Sequence, residues 1–325
     1  MNTPLFFCTY NDTNWNHHVP QPGFHACLSP VYGKKKRRKS RVVVPEEVGA
    51  VLVDSGAHCE REEGDRLSNE EALARQIDHA REFGYTERVA YLASYDALVI
   101  GKHRNGEATR DEERAVQATI TAARSLASQR RALRLTLGHS VGLVLTAQGG
   151  DLEQYLRCTE TIVDYMEDGD LFGLGGFAWT GKRPGQLLPA FCQISAALVP
   201  LLARRGIKKL HAWGILYPRA VGHLLALCDR FGLDMSSDNS GPALYPVLGR
   251  WGYASCRDSS YRGAPILDTC RCGICPSDTR CLGLDRCRHV RVSRNWFEQF
   301  RECESKWYRV LPVPQHWSHS QASWL

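Results

Sequence analysis

The stretch VGLVLTAQGGDLEQYLRCTETIVDYMEDGDLFGLGGF, residues 141–177, decides the fold class. Its opening, VGLVLTA, is a short apolar run of the kind a strand buried on both faces requires. Gln148, Gly149 and Gly150 end that run, and Asp151 stands where a helix N-cap belongs, opening DLEQYLRCTETIVDYMED as a helix. LFGLGGF, residues 171–177, is then a second strand and its exit turn. A strand, a helix and a strand in succession form a crossover unit, and crossover units join parallel strands.

The same unit repeats on both sides. Upstream, VGAVLVDSG (48–56) is a buried strand with its exit loop, and SNEEALARQIDHAREFGY (68–85) is a helix. Ser68 and Glu71 form its capping box, Leu73, Ile77 and Ala80 share one face, and Gly84 ends it. RVAYLASYD (88–96) is the next strand, and a long helix is predicted over 109–130. Downstream, PGQLLPAFCQISAALVPLLARRG (184–206) is a helix that starts on proline and stops on glycine. KKLHAWGI (208–215) is a strand, YPRAVGHLLALCDRFG (217–232) a helix, and LDMSSD (233–238) a short strand. Six or seven such units over about 200 residues predict an α/β fold, a (β/α)8 barrel. A doubly wound open sheet is the alternative, but no GxGxxG follows the first strand. Residues 1–45 are rich in Asn, Pro, His and aromatics without a period and are expected to stand apart as an N-terminal segment.

The whole chain of 325 residues is 43% hydrophobic and 23% charged, the balance of a folded soluble protein. It contains no apolar run long enough for a transmembrane helix and no signal peptide at its start, so a cytoplasmic protein without a membrane partner is expected. Thirteen cysteines without an export signal argue against a disulfide framework. The net charge is +6, and much of it sits in one block, where seven of the eight residues from Lys34 to Arg41 are basic. Lys34, Lys35, Lys36, Arg37 and Arg38 are the candidate contacts to a nucleic-acid backbone, because clustered cations displace its counterions. A solubilising arm is the other reading of the block.

Polar groups fall at the ends of the strands. Asp54 follows VLV, Asp96 follows YLASY, Gln148 follows VLTA and Asp238 follows LDMSS, while Gly175 and Gly176 present bare backbone ahead of Phe177. In a (β/α)8 barrel these ends converge on the face that carries active sites. A single aspartate after a strand is usually a helix cap; four amide or carboxylate side chains at successive ends call for chemistry. Two carboxylates flanking an anomeric carbon can break a glycosidic bond, one as nucleophile and one as acid and then base. A further carboxylate and a carboxamide can read the edge of a planar base. A metal-dependent barrel hydrolase would want histidine pairs at strand ends, and none is present; His211, alone in its strand, reads as a satisfied core group.

Six cysteines crowd into residues 270–303, and TCRCGICPSDTRC (269–281) holds three of them as CxCxxC. Cys270, Cys272 and Cys275 supply three thiolates, and a fourth ligand would close a tetrahedral structural Zn2+ site. His289 is the nearest downstream histidine, with Cys281, Cys287 and Cys303 as rivals. The expected organisation is an N-terminal segment with a basic arm (1–45), a barrel catalytic domain (46–255), a zinc-binding subdomain with the last barrel elements (256–310) and a tail (311–325).

The order of these motifs (DSG, a strand-end Asp, QG, GLGGF, a late Asp, CxCxxC) resembles the tRNA-guanine transglycosylase superfamily over about residues 48–300. That resemblance implies a TIM barrel with a zinc-bearing insertion, exchanging a guanine in nucleic acid for a 7-deazaguanine base. Carried over, Asp54 of DSGA resembles the general acid/base, and Asp96 of SYDA the carboxylate that binds the guanine edge. Gln148 and the Gly175, Gly176 and Phe177 backbone resemble the groups that read the base carbonyl. GLDMSSDNS is similar to the segment holding the nucleophilic aspartate, which implies Asp238, with Asp234 as the rival because the family pattern has one residue fewer between the two. Ala57, His58 and Cys59 depart from the aromatic and glutamine usual in the tRNA enzymes, and Arg294 stands before Asn295 where the family often has a ligand histidine. No RNA-binding domain is read after the cysteines. These looser motifs are most like the DNA-modifying branch, which implies DNA as the macromolecular substrate and the partner proteins of a DNA-modification system. The same exchange on tRNA, and a non-catalytic zinc-containing nucleic-acid-binding barrel, are the alternatives.

Overall fold

A computed structural model of the chain describes residues 5–10, 25–29, 44, 48–57, 66–98, 112–177, 184–215, 218–239 and 308–312. Eight strands run through them: β1 (Leu5–Tyr10), β2 (His25–Leu28), β3 (Val51–Val53), β4 (Val89–Ala93), β5 (Gly142–Ala147), β6 (Leu171–Leu174), β7 (Lys209–Ala212) and β8 (Asp234–Asn239). Each pairs in parallel with the next, and β8 pairs in parallel with β1, Phe7 opposite Asp238, so the sheet closes into a barrel. Between β3 and β8 the crossovers are helical. α1 (Asn69–Glu82) leads to β4, α2 (Glu112–Ser128) and α3 (Arg130–Leu137) to β5, and α4 (Leu152–Ile162) to β6. α5 (Pro184–Arg204) leads to β7 and α6 (Pro218–Phe231) to β8. The architecture is α/β, an all-parallel curled sheet alternating with helices.

The period of two along each strand sorts residues between two cores. Val51, Val53, Leu143, Leu145, Phe172, Leu174, Leu210 and Ala212 point outward and join the large core under the helices. Phe7, Cys27, Leu52, Ala93, Val144 and Leu171 form a smaller cluster in the lumen, with Tyr91 and Trp213 packed against it. The predicted capping box on α1 is present: the Ser68 hydroxyl accepts from the Glu71 N–H, and the Glu71 carboxylate accepts from the Ser68 N–H. Asp151 caps α4, accepting from the Gln154 N–H at 2.8 Å. Cys27, Cys158, Cys192 and Cys228 are buried, as scattered core cysteines should be.

Three expectations need correction. The barrel does not begin at residue 46: β1 and β2 lie within 1–45, and their six and four residues are too short to show a period. The helical region after β4 does not stop near residue 130 but restarts as α3 and runs to Leu137, where Gly138 ends it at φ +80°. The tail expected from residue 311 begins docked, with Leu311 7% exposed in the outer core and its N–H donating to His223 Nδ1 at 2.8 Å. The segment expected to bind zinc, up to residue 307, and the basic block lie outside the described residues. Among the described residues no helix is long and apolar enough to cross a membrane.

Candidate active site

The C-terminal ends of the strands hold the polar residues, and each is fixed by backbone pairing. The Asp54 N–H donates to the Leu28 carbonyl at 2.7 Å, extending the β2–β3 ladder by one residue. Its own carbonyl accepts from Gln76 Nε2 at 3.1 Å. Gln76 is buried on the inner face of α1 and reaches three carbonyls, Val53, Asp54 and Ala93, so one carboxamide holds the ends of β3 and β4 together.

Asp96 follows β4 and is nearly buried. Ser55 Oγ donates to its Oδ1 at 3.2 Å, and Gln148 Nε2 donates to its Oδ2. DSG, SYD and QG, far apart in sequence, therefore meet in one hydrogen-bonded group. The Asp96 main chain is clamped separately. Arg66 donates to the carbonyls of Asp96 (2.9 Å) and Tyr95 (2.6 Å), and its guanidinium lies 4.5 Å over the Tyr95 ring.

The GLGGF turn comes next around the barrel. The Gly175 N–H donates to the Ala147 carbonyl, which keeps this turn in register with β5 and sets it beside Gln148. Tyr155 of α4 donates to the Gly175 carbonyl at 2.8 Å and stacks on Phe177, ring centres 5.8 Å apart. Burial pushes the Tyr155 phenol well above its ordinary pKa, so it is a neutral donor. Gly176 has φ +90°, and a Cβ there would stand 2.4 Å from the Tyr155 hydroxyl; two independent constraints require glycine.

Asp238 closes the ring. It lies on the same face of β8 as Asp234 and Ser236, at the C-terminal end, and is 9% exposed. Asp234, the rival, starts the strand at the opposite end of the barrel and is exposed. Asp238 Oδ1 accepts from the Gly214 N–H at 2.6 Å and lies 3.5 Å from His211 Nε2. Trp213 stands on the same face of β7, donating from its indole to Thr146 Oγ1 at 2.9 Å.

The structure thus brings Asp54, Asp96, Gln148, Gly175, Gly176 and Asp238 to one end of the barrel, with Phe177 buried behind the turn as a stacking support. Cys270, Cys272, Cys275 and His289 lie outside the described residues, as do Lys34, Lys35, Lys36, Arg37 and Arg38. Among the described residues no group of three or more His, Cys, Asp or Glu side chains is arranged to hold a metal ion.

Sequence reasoning missed Gln76, Arg66, Tyr155 and the surroundings of His211. Gln76 left a trace, since it falls between Leu73 and Ile77 on the face of α1 that should be apolar. Tyr155 left one too, in the first turn of the helix that QGG opens. Arg66 acts on carbonyls about 30 residues away and leaves no local pattern.

Compared with known proteins, the chain matches no family model and no curated sequence.

Proposed function

We propose that this barrel is a guanine transglycosylase acting on DNA, exchanging a guanine for a 7-deazaguanine base through a covalent Asp238–sugar ester. The observation that carries the reading is the meeting of three strand-end carboxylates, a carboxamide and a bare glycine turn at one end of one barrel.

The target nucleotide must leave the base stack, because its C1′ is out of reach inside the duplex. A carboxylate oxygen of Asp238 bonds to C1′ as the C1′–N9 bond breaks, and the electron pair goes to N9. Asp54, in its acid form, gives N9 a proton, and neutral guanine departs. A 7-deazaguanine enters the same pocket. Asp54, now a carboxylate, takes its N9 proton; N9 bonds to C1′; the ester C–O bond breaks and Asp238 recovers its charge. Protons and electrons balance over the two halves. Asp96 is suited to the N1–H and exocyclic amine of the base, and Gln148, with the Gly176 and Phe177 amides, to its carbonyl oxygen. Gln148, which donates to Asp96 here, would turn to the base when one arrives.

Zinc belongs to the proposal as a structural ion. Three closely spaced thiolates with His289 or a further cysteine are a suitable donor set for a closed site, and about one zinc per chain should be found by metal analysis and lost from Cys272→Ser. The basic arm is proposed to contact phosphates. Neutralising Lys34 to Arg38 should flatten the salt dependence of DNA binding by roughly one log–log unit per lost contact.

The deciding experiment incubates the full chain with radiolabelled guanine and either duplex DNA or tRNA. Label entering DNA at guanine positions is the expected result. Label entering tRNA alone moves the reading to the tRNA branch, and label entering neither sinks it.

A further inference from the structure

We infer that His211 is a positioning residue for Asp238, holding the carboxylate in the orientation from which it attacks. The inference rests on the nucleophilic role proposed above for Asp238.

His211 is completely buried in the lumen, where a histidine without a task is an expensive occupant. Its ring is wedged edge-to-face between Phe7, 5.9 Å away, and Trp213, 4.4 Å away, so it cannot swing. Nδ1 lies 2.9 Å from Ser236 Oγ. Nε2 makes no hydrogen bond among the described residues, and the polar atom it faces is Asp238 Oδ1 at 3.5 Å.

The proton positions follow from the charges. An ionised carboxylate only accepts, so a lone pair on Nε2 would repel it. Nε2 therefore carries the hydrogen, Nδ1 accepts, and the Ser236 hydroxyl donates to Nδ1 rather than to the more distant Leu210 carbonyl at 3.3 Å. Ser236 and His211 thus line up behind Asp238, with the Nε2 hydrogen facing Oδ1 at 3.5 Å and the Gly214 N–H already donating to that oxygen. The Gly214 N–H holds one oxygen, and the ring beside it, unable to swing, limits how the carboxylate can turn and offers it a second donor within a few tenths of an ångström of hydrogen-bond length. The relation is that of an orienting group to a reactive one, the logic by which a third residue aligns a catalytic base.

The test measures single-turnover formation of the covalent adduct on denaturing gels, binding of free guanine by equilibrium dialysis, and melting temperature. The variants are His211→Phe, His211→Gln and Ser236→Ala. His211→Phe should slow adduct formation roughly 10²-fold, the penalty of a misaligned nucleophile, while free guanine binds as before. His211→Gln, which returns an N–H near the Nε2 position, should recover part of the rate, and Ser236→Ala should slow it less than His211→Phe. An unchanged adduct rate in folded His211→Phe overturns the inference, and so does an equal loss of guanine binding. If His211→Phe does not fold, Ser236→Ala and His211→Gln decide: wild-type adduct rates in both overturn it.

Failure of the transglycosylase reading is separable, because wild type would then form no adduct with either nucleic acid. The couple is judged in that case by nitrogen NMR of histidine-labelled protein. A protonated Nε2 whose resonance moves in Asp238→Asn is expected. A proton on Nδ1, or no movement, overturns it.

Discussion

Asp170, at the head of β6, and Asp238, at the end of β8, are buried carboxylates at opposite ends of the same barrel. Asp170 accepts from Arg130 through both oxygens, from the Leu143 N–H at 2.9 Å and from the Glu167 N–H at 2.9 Å. Its charge is neutralised by a guanidinium and its lone pairs are filled. The Gly214 N–H on Asp238, and the Ser55 hydroxyl and Gln148 carboxamide on Asp96, are by contrast neutral donors. Neutral donors orient a carboxylate without cancelling its charge, as the nucleophile and the base reader of the proposed reaction require. The same side chain thus serves cohesion at one end and, under the proposed reaction, chemistry at the other.

Breaking the comparison at the chemical end should give the largest effect. Asp238→Asn removes the proposed nucleophile and should abolish guanine release and base incorporation together, with no adduct on a denaturing gel and an unchanged melting temperature. If Asp234→Asn loses the adduct instead, the nucleophile is the wrong aspartate of LDMSSD. Asp54→Ala should leave attack possible but slow exchange by about 10²–10⁴-fold, read from the rate of label uptake.

The cohesive end should answer in stability alone. Asp170→Ala takes the bidentate carboxylate from Arg130, which keeps the Tyr165 carbonyl and Glu167, and leaves two backbone N–H groups without that acceptor, so urea unfolding should show a loss of about 3 kcal/mol. Exchange per folded molecule should be unaffected. A large loss of turnover in folded Asp170→Ala would mean the two ends are coupled.

A third test uses pH. His223 is buried between α5 and the docked segment at 308–312; it accepts from the Leu311 N–H and contacts Ser195 Oγ at 3.1 Å. Burial pushes its pKa down to about 4, below the ordinary 6.5. The folded state therefore takes up the proton later than the unfolded chain as pH falls. Its contribution to stability is complete above 6.5 and is lost between 6.5 and about 4, at most ~3 kcal/mol. Unfolding curves across that window should show the slope in wild type and a shallower one in His223→Gln. The smallest effect belongs to Ser68→Ala, which removes the cap of α1 and should cost about 1 kcal/mol with exchange intact.

The alternation of runs from Val48 to Asp238 made the parallel architecture legible, because strands buried on both faces and capped helices each leave a local mark. β1 and β2 left none. Their pairing with β8 and β3 is what makes them strands, and partners distant in sequence do not show in a short window. The strand-end positions of Asp54, Asp96, Gln148 and Asp238 were legible for the same local reason. The groups that hold them were not. Gln76, Arg66 and Tyr155 act on main-chain carbonyls of other elements, and a carbonyl has no letter in the sequence. His211 was read as a satisfied core group, but among the described residues only one ring nitrogen is hydrogen-bonded, and that depends on which face of β7 meets Asp238.

The closure of the barrel through Phe7 opposite Asp238 has a consequence for the ribosome. β1 is made well before β8, and the strand that covers its far edge is complete only at Asn239. At about 5–20 residues per second, roughly 10–50 s pass with that edge unpaired, and an unpaired edge is a template for another chain. Asp238, the proposed nucleophile, sits on the last of the described strands to arrive, in register with β1. A nascent chain cannot hold Asp238 in place until synthesis has passed it, so the proposed chemistry would be withheld until the sheet has closed.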